Sequence, residues 1–236
     1  MNIIAKIKFY YSSFIIFVIV AFFMIPLIAI FRNKKSIIIH RLNRLILLLI
    51  GGKLSQIGTI DPDADIFIMN HQGIVDIIGL EALQTNHFRW IAKKELFEIP
   101  YIGYLLRLGE MIPLDRGDKR SLPGLMKEIR YSRDTLNRQV AIFPEGTRAK
   151  SQKLLTFKAG TKIIAEKLNL KVQPIVITGS KMLFDEGKKT AHSSTVVYNF
   201  LPTIDVANAP KDWYDNVAIQ MQEIIDDELS YNHRSR

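Results

Sequence analysis

From Phe9 to Phe31 the chain carries no charged side chain, and no other feature constrains its fold so tightly. At about 1.5 Å per residue a helix of this length can cross a hydrocarbon core of about 30 Å. Pro26 predicts a kink within it. A second apolar stretch, Ile37 to Ile50, carries Arg41 and Arg44. Three arrangements answer to this pattern: a cleaved signal peptide, a single span closed by Arg32-Asn-Lys-Lys35, or a pair of helices lying in the interface with Arg41 and Arg44 at lipid phosphates. No small-residue cleavage site follows the apolar run, which speaks against the first. The span and the interfacial pair both tether the remainder to a bilayer. By the positive-inside rule a span ending at Arg32 leaves the remainder in the cytoplasm, although Lys6 and Lys8 weaken the asymmetry. The expectation is a membrane-anchoring helical segment over 1–58.

The formal charge of +9 is unevenly spread: residues 1–60 hold eight Lys and Arg and no acid, while the rest of the chain holds 24 basic against 23 acidic side chains. The basic segment is also the most apolar. An anionic membrane surface is therefore the partner it fits, and nucleic acid is not expected. With no cysteine, disulfides, thiolate metal sites and a cysteine nucleophile are excluded.

From Asp61 onward short apolar runs alternate with longer helical patterns, which predicts an α/β domain over 59–236, a mixed, mostly parallel sheet flanked by helices. The predicted strands are 65–69, 88–92, 111–114, 139–143, 172–178 and 195–201. Helices are predicted near 74–84, 100–108, 121–137, 158–169 and 212–229. In the last, Tyr214, Val217, Met221, Ile224 and Ile225 recur at helical spacing and predict packing on the sheet. Gln173-Pro174-Ile175-Val176 reads as a strand with an edge proline.

The chemistry centres on Asn70-His71-Gln72-Gly73-Ile74-Val75-Asp76. Positions five apart point roughly 140° away from each other on a regular helix, so His71 and Asp76 meet only across a turn. A strand ending near Met69 and a helix starting near Ile74, with Gly73 loosening the turn between them, supply it and place His71 at a carboxyl strand edge, where open α/β sheets bind ligands. A neutral imidazole takes a hydroxyl proton, and a carboxylate on its other nitrogen fixes the tautomer.

Phe143-Pro-Glu-Gly-Thr-Arg148 follows another predicted strand. Gly146 lets backbone amides approach an anion, Arg148 offers a planar fork suited to phosphate, and Glu145 is expected to position a hydroxyl or brace the arginine. Arg116 is placed to bring a second phosphate ligand into the same cleft, with Asp115 as the residue that would neutralise it. Of Lys93 and Lys94, one is expected in the cleft and one in solvent. His40, His87, His192 and His233 are scattered without ligand-like spacing, so no metal is expected. Nucleophile-elbow, nucleotide-binding and zinc-helix signatures are absent.

Taken in order, Asn-His-x4-Asp, Ala-Lys-Lys-Glu-Leu, Ile-Pro-Leu-Asp-Arg, Phe-Pro-Glu-Gly-Thr-Arg and a Val-x-Pro-Ile strand resemble the 1-acyl-sn-glycerol-3-phosphate acyltransferases, the bacterial lysophosphatidate acyltransferase type of the glycerolipid acyltransferase superfamily, from about residue 60 to 180. The resemblance implies that 59–236 is the catalytic domain. His71 would deprotonate the sn-2 hydroxyl of lysophosphatidate, which attacks the thioester of acyl-CoA or acyl carrier protein, with Asp76 holding the ring. No cofactor is bound; the acyl donor is a co-substrate. Lys93, Arg116 and Arg148 would hold the acceptor phosphate, with Glu145, Gly146 and Thr147 shaping the pocket. The product would be phosphatidate, the precursor of membrane phospholipids, made at the cytoplasmic face of the inner (plasma) membrane. Ala149 and Thr156 depart from the serine and proline that relatives often carry around this motif. The same motifs admit sister enzymes acting on glycerol 3-phosphate, a lyso-ornithine lipid or another lysophospholipid, as well as thioester hydrolysis. From another class stands a silent binder of anionic lipid, against which the oriented base argues.

Overall fold

Pro26 has no amide hydrogen to donate, and the helix that holds it adapts one turn earlier. In the computed structural model, which describes residues 3–118 and 120–234, α1 (Ile3–Val18) passes through a π-helical turn (Ile19–Met24) into α2 (Ile25–Ile30). The Ile25 amide reaches back five residues to the Val20 carbonyl, and this wide turn makes room for the proline ring. The helix thus departs from α geometry on the amino-terminal side of Pro26. A short 3-10 turn at Arg32–Lys34 reverses the chain into α3 (Lys35–Ile50), which Gly51 ends in the left-handed conformation at φ 78°.

The α1–α2 rod runs 28 residues, about 42 Å. Both of its ends touch the folded domain. Near its start Lys8 Nζ lies 2.7 Å from Ser193 Oγ, and the Phe9 ring stacks on Phe184 at 4.6 Å. At its far end α2 packs on a helix of the sheet domain, and Ile28 is wholly buried. The outer face leaves Ile4, Ile7, Phe14, Phe17, Phe22 and Ile30 more than half exposed. The rod therefore lies along the domain instead of standing away from it.

The sheet begins before residue 58. β1 (Gly52–Ile57) pairs in parallel with β9 (Ser194–Phe200), so the expected boundary falls after a strand of the main sheet. In chain order come β2 (Ile66–Met69), α4 (Ile74–Leu83), β3 (Arg89–Lys93), α5 (Ile102–Leu108), β4 (Ile112–Leu114), α6 (Ser121–Asp134) and β5 (Val140–Ile142). There follow α7 (Ala159–Leu168), β6 (Lys171–Thr178), α8 (Ser180–Leu183), the hairpin β7 (Phe184–Asp185) and β8 (Thr190–Ala191), then β9, β10 (Ile204–Asp205) and α9 (Trp213–Arg234). The main-sheet order is β1-β9-β6-β2-β5-β3-β4, with β10 also on β6. The five strands from β6 to β4 are parallel, and β9 and β10 run antiparallel to β6. The mixed, mostly parallel α/β architecture is as expected, and each of the six predicted strands ends within one residue of its expected limits.

Alternate strand residues divide two cores. Phe67, Met69, Ala141, Ile175 and Ile177 face α3 and α4, while Ile66, Ile68, Val140, Val172 and Val176 face α6, α7 and α9. Val217, Met221 and Ile225 of α9 pack there as predicted, each burial worth about 1.5–3 kcal/mol. The strand of Pro174 is interior, contrary to the edge position expected. It is tolerated because the proline faces the gap between β10 and β9. Its carbonyl accepts from Leu201 N at 3.0 Å, and its missing amide points to the same side, where no ladder bond is lost.

Gly79 marks the closest approach of α4 to the sheet. A Cβ there would stand 2.0 Å from the hydroxyl of buried Tyr198, which bonds the Asp76 carbonyl at 2.9 Å. Gly79→Ala is expected to lower the unfolding free energy by about 1–3 kcal/mol through this overpacking, and the urea midpoint with it, in spite of the alanine's better helix propensity. An unchanged midpoint would show that α4 does not seat this closely.

Candidate active site

The five parallel strands send their following helices to different sides. The connections β2–α4–β3 and β3–α5–β4 run over the face of α3, whereas β4–α6–β5 and β5–α7–β6 return over the opposite face. Adjacent strands β2 and β5 are thus followed by helices on opposite faces, and a crevice opens between their carboxyl ends, the switch point at which such sheets take ligands. His71 follows β2 and the Phe143–Arg148 segment follows β5, so both motifs flank this crevice.

His71 and Asp76 meet as the turn argument requires. His71 Nδ1 lies 2.9 Å from Asp76 Oδ2, and the same oxygen accepts the amides of Gln72 at 2.6 Å and Gly73 at 2.8 Å. Asp76 is fully buried in the first turn of α4, where three donors and the helix dipole compensate its charge. Since the carboxylate only accepts, the neutral ring carries its proton on Nδ1, which leaves Nε2 as an acceptor. Nε2 makes no hydrogen bond among the described residues. The ring stacks on Phe143 at 3.8 Å, Phe143 stacks on Trp90 at 5.6 Å, and the Trp90 indole donates to buried Glu81 at 2.6 Å. Gly73 is extended, and its need is space: a Cβ would come 3.2 Å from Glu186 Oε2.

Glu145 has a different place from either expected one. It is 1% exposed and braces no arginine: Oε1 accepts the His71 amide at 2.7 Å and Oε2 accepts the Leu155 amide at 2.7 Å. Burial pushes its carboxyl up to about 7, the two amides oppose that, and the charge of Asp76 adds to it. The His71 carbonyl in turn accepts Ala149 N at 2.8 Å. Both backbone groups of the histidine are thereby tied to the segment after β5.

The cations stand at the same sheet edge, each already engaged. Arg116 donates to the Gly146 carbonyl, and burial lowers its pKa, with Glu95 acting in the opposite direction. Arg148 pairs with Glu186 Oε2 at 2.8 Å. Lys93 and Lys94 are both exposed, which corrects the expectation that one would enter the cleft. Lys93 pairs with Glu95 at 3.1 Å, and among the described residues it is Lys94, not Arg116, that pairs with Asp115, at 3.9 Å. Gly146 turns the chain at φ 69°, its amide bonded to the Phe143 carbonyl at 3.0 Å, and the amides of exposed Thr147 and Arg148 make no hydrogen bond among the described residues.

Several site residues escape sequence reasoning. Asn70 makes two bonds to the backbone of Ile177, at 2.8 and 2.7 Å, which pins the end of β2 to β6. Buried Gln72 joins Gln152 at 3.1 Å and Ser180 at 3.3 Å. Glu186 lies in the β7–β8 hairpin, outside every motif. Asn70 adjoins the histidine and offered a signal by position; the hairpin carboxylate offered none. Among the described residues no group of three or more His, Cys, Asp and Glu side chains converges as a metal site would. A polar cleft of about 520 Å³ that includes Asp65, His87, Arg138 and Lys171 lies at the opposite, amino-terminal edge of the strands.

A family model described as Acyltransferase matches residues 61–178. The chain is 40% identical over 176 residues to the 1-acyl-sn-glycerol-3-phosphate acyltransferase of Helicobacter pylori, covering 74% of each chain. With the protein of that name from Escherichia coli it shares 26% identity over 165 residues, 70% of this chain and 66% of that one. With a longer one from Chlamydomonas reinhardtii it shares 34% over 148 residues, 60% of this chain and 43% of that one. The crystal structure of the 1-acyl-sn-glycerophosphate acyltransferase from Thermotoga maritima superposes with a TM-score of 0.74 over 100% of this chain and 97% of that one, at 20% identity, a likeness of fold.

Glu145→Gln tests the brace. At acid pH the variant is expected to be less stable by about 1–3 kcal/mol, since one of the two amides then faces an NH2 group. The wild-type carboxyl titrates near 7 when folded and near 4.5 when unfolded, so its contribution to stability falls as pH rises across that window and levels off above it. The glutamine has no such slope. Urea titrations from pH 4.5 to 7 should therefore show the gap between the two proteins narrowing as pH rises; parallel curves would remove Glu145 as a buried titrating brace.

Proposed function

The chain belongs to the acyltransferase family, and on that premise we propose that it transfers an acyl chain from acyl-CoA or acyl carrier protein to the sn-2 hydroxyl of 1-acyl-glycerol-3-phosphate, giving phosphatidate for phospholipid synthesis. The observation that carries the reading is the His71 ring, with Nδ1 held by a buried carboxylate and Nε2 without a hydrogen bond among the described residues. His71 Nε2 takes the hydroxyl proton as the oxygen attacks the thioester carbonyl carbon. The tetrahedral intermediate then collapses, the carbon–sulfur bond breaks, and the proton passes from the imidazolium to the leaving thiolate. Asp76 stabilises the imidazolium and stays ionised. No acyl-enzyme is formed.

Arg116 and Arg148 serve the acceptor phosphate, and Lys93 adds positive charge at the rim. Arg148 exchanges the Glu186 carboxylate for the phosphate dianion, a stronger bidentate partner. The open amides of Thr147 and Arg148 are the backbone donors nearest this motif and suit an anion or oxyanion. The residues 1–50 anchor the enzyme in the interface of an anionic bilayer, at the cytoplasmic face of the inner membrane, with the outer face of the rod in the headgroup and acyl boundary. Attachment of both rod ends to one domain supports an interfacial pair over a span, since a spanning rod would carry one end to the far leaflet.

The test is acyl transfer by the detergent-solubilised protein, offered acyl-CoA or acyl carrier protein with lysophosphatidate, glycerol 3-phosphate or no acceptor. Phosphatidate is expected with lysophosphatidate alone; product from glycerol 3-phosphate would move the chain to the sister activity. His71→Ala should keep the fold and lose about 10²- to 10⁴-fold in rate, roughly 3 to 5 kcal/mol. Ordinary turnover by that variant would sink the base mechanism. Arg116→Ala and Arg148→Ala should raise KM for the acceptor more than they lower kcat, and an unchanged acceptor dependence would take them out of the phosphate site.

A further inference from the structure

We propose that residues 96–104, the turn and first helical residues after β3, form a second lipid-contacting element, a rigid apolar knuckle that enters the same leaflet as the α1–α2 rod at the mouth of the active site. The proposal rests on the interfacial seating given above and adds a contact that the rod does not supply.

Five large side chains point outward from this short segment: Leu96, Ile99, Tyr101, Ile102 and Tyr104, with Tyr101 the most exposed at 69%. A loop that showed so much apolar surface by looseness would have few internal ties. This one is clamped. Arg107 donates to the Phe97 carbonyl at 2.7 Å, and Gly103 lies so close to that residue that a Cβ would stand 2.0 Å from the same oxygen. Tyr101 is held at a φ of 63°, where non-glycine residues rarely rest. Backbone that is fixed while its apolar side chains face outward is built for a partner.

The occupant follows from what the knuckle adjoins. α5 packs on α2, whose end leaves Ile30 and Phe31 exposed, so the apolar surface continues from the rod onto the knuckle. Two tyrosines at its rim match the preference of amphipathic rings for the headgroup level. Lys93, Lys94 and Arg107 border it and meet lipid phosphates, against two exposed acids, Glu95, which is held by Lys93, and Glu98. The knuckle follows directly on Lys93 at the carboxyl edge of β3, the edge that carries His71. A lipid acceptor would then rise into the crevice between two elements seated in one leaflet.

The absence of cysteine permits single-site nitroxide labelling without background. Tyr101→Cys and Ile102→Cys would be labelled in the full chain and reconstituted into vesicles of phosphatidylglycerol and phosphatidylethanolamine in equal parts. Phe17→Cys would report on the rod and Ile219→Cys on the exposed far helix. Collisional relaxation by oxygen and by a water-soluble nickel chelate would then be compared. The labels at 101 and 102 are expected to shift from chelate-accessible in detergent-free buffer with no lipid to oxygen-accessible in vesicles, as the label at 17 does, while that at 219 stays aqueous. If 17 is buried in lipid and both knuckle labels stay chelate-accessible, the knuckle proposal is overturned and the seating of the rod survives. If 17 also stays aqueous, the interfacial seating fails and the knuckle with it.

Discussion

A single carboxylate oxygen organises this molecule. Asp76 Oδ2 lies in the dry junction of β2 and α4 and accepts from a ring nitrogen and two consecutive amides. An ionised carboxylate in such a place is costly unless its donors are all in position, so the turn from Asn70 to Gly73 has little conformational choice. The amides of Gln72 and Gly73 must converge on one point, and the imidazole follows because it supplies the third donor. Tyr198 supports the arrangement from below through the Asp76 carbonyl, at the position Gly79 leaves open for it. The same bonds that stabilise the buried charge also set the tautomer of His71. Folding and orientation of the ring are one physical problem with one solution.

The parallel sheet extends this local solution into a site. Strands β2, β5, β3 and β4 run the same way, so the segments that follow each of them end at one edge regardless of their separation in sequence. Where the ladder between β2 and β5 stops, side chain and backbone bonds take over: Glu145 receives the His71 amide and Ala149 donates to its carbonyl. His71 is therefore fixed at its ring by Asp76, at its face by Phe143 and along its backbone by the segment that also carries Arg148. A displacement of any one strap moves the His71 imidazole relative to the Arg148 guanidinium, which binds the spacing of the two side chains to the strand register.

Local pattern made the frame of this fold legible. The short apolar runs at Ile66 to Met69 and at the other core strands marked their limits closely, because Gly, Asn and charged residues bound them. The His71–Asp76 pairing was legible for a related reason: five residues with a glycine between a strand and a helix leave few ways to connect. Glu145 was not, because a carboxylate beside an arginine in sequence suggests a salt bridge, and only the fold reveals that two amides from Leu155 and distant His71 claim it first. Pro174 misled in the same way. Proline excludes a strand interior only where its amide is needed, and the change of partner from β10 to β9 removes that need. β1 was hidden by its own surface, since its burial rests mainly on pairing and Lys53 and Gln56 give it no apolar alternation.

The β7–β8 hairpin lay beyond sequence reasoning, yet it links two parts of the molecule that seemed separate. Phe184 stacks on Phe9 of the rod, and three residues on from Gly187 the strand β8 lies against α1. Between those contacts Glu186 reaches the Arg148 guanidinium and stands over Gly73. One short element therefore touches the apolar rod, Arg148 and the turn that holds His71. The hairpin is small and holds itself only through two pairs of residues, so its position depends on the surfaces it packs against. Where the rod sits thus fixes where Glu186 sits, and an anion that takes Arg148 must displace a carboxylate whose place is set by the apolar segment. Rod and cleft share their geometry through that contact, so the rod is part of the architecture of the site.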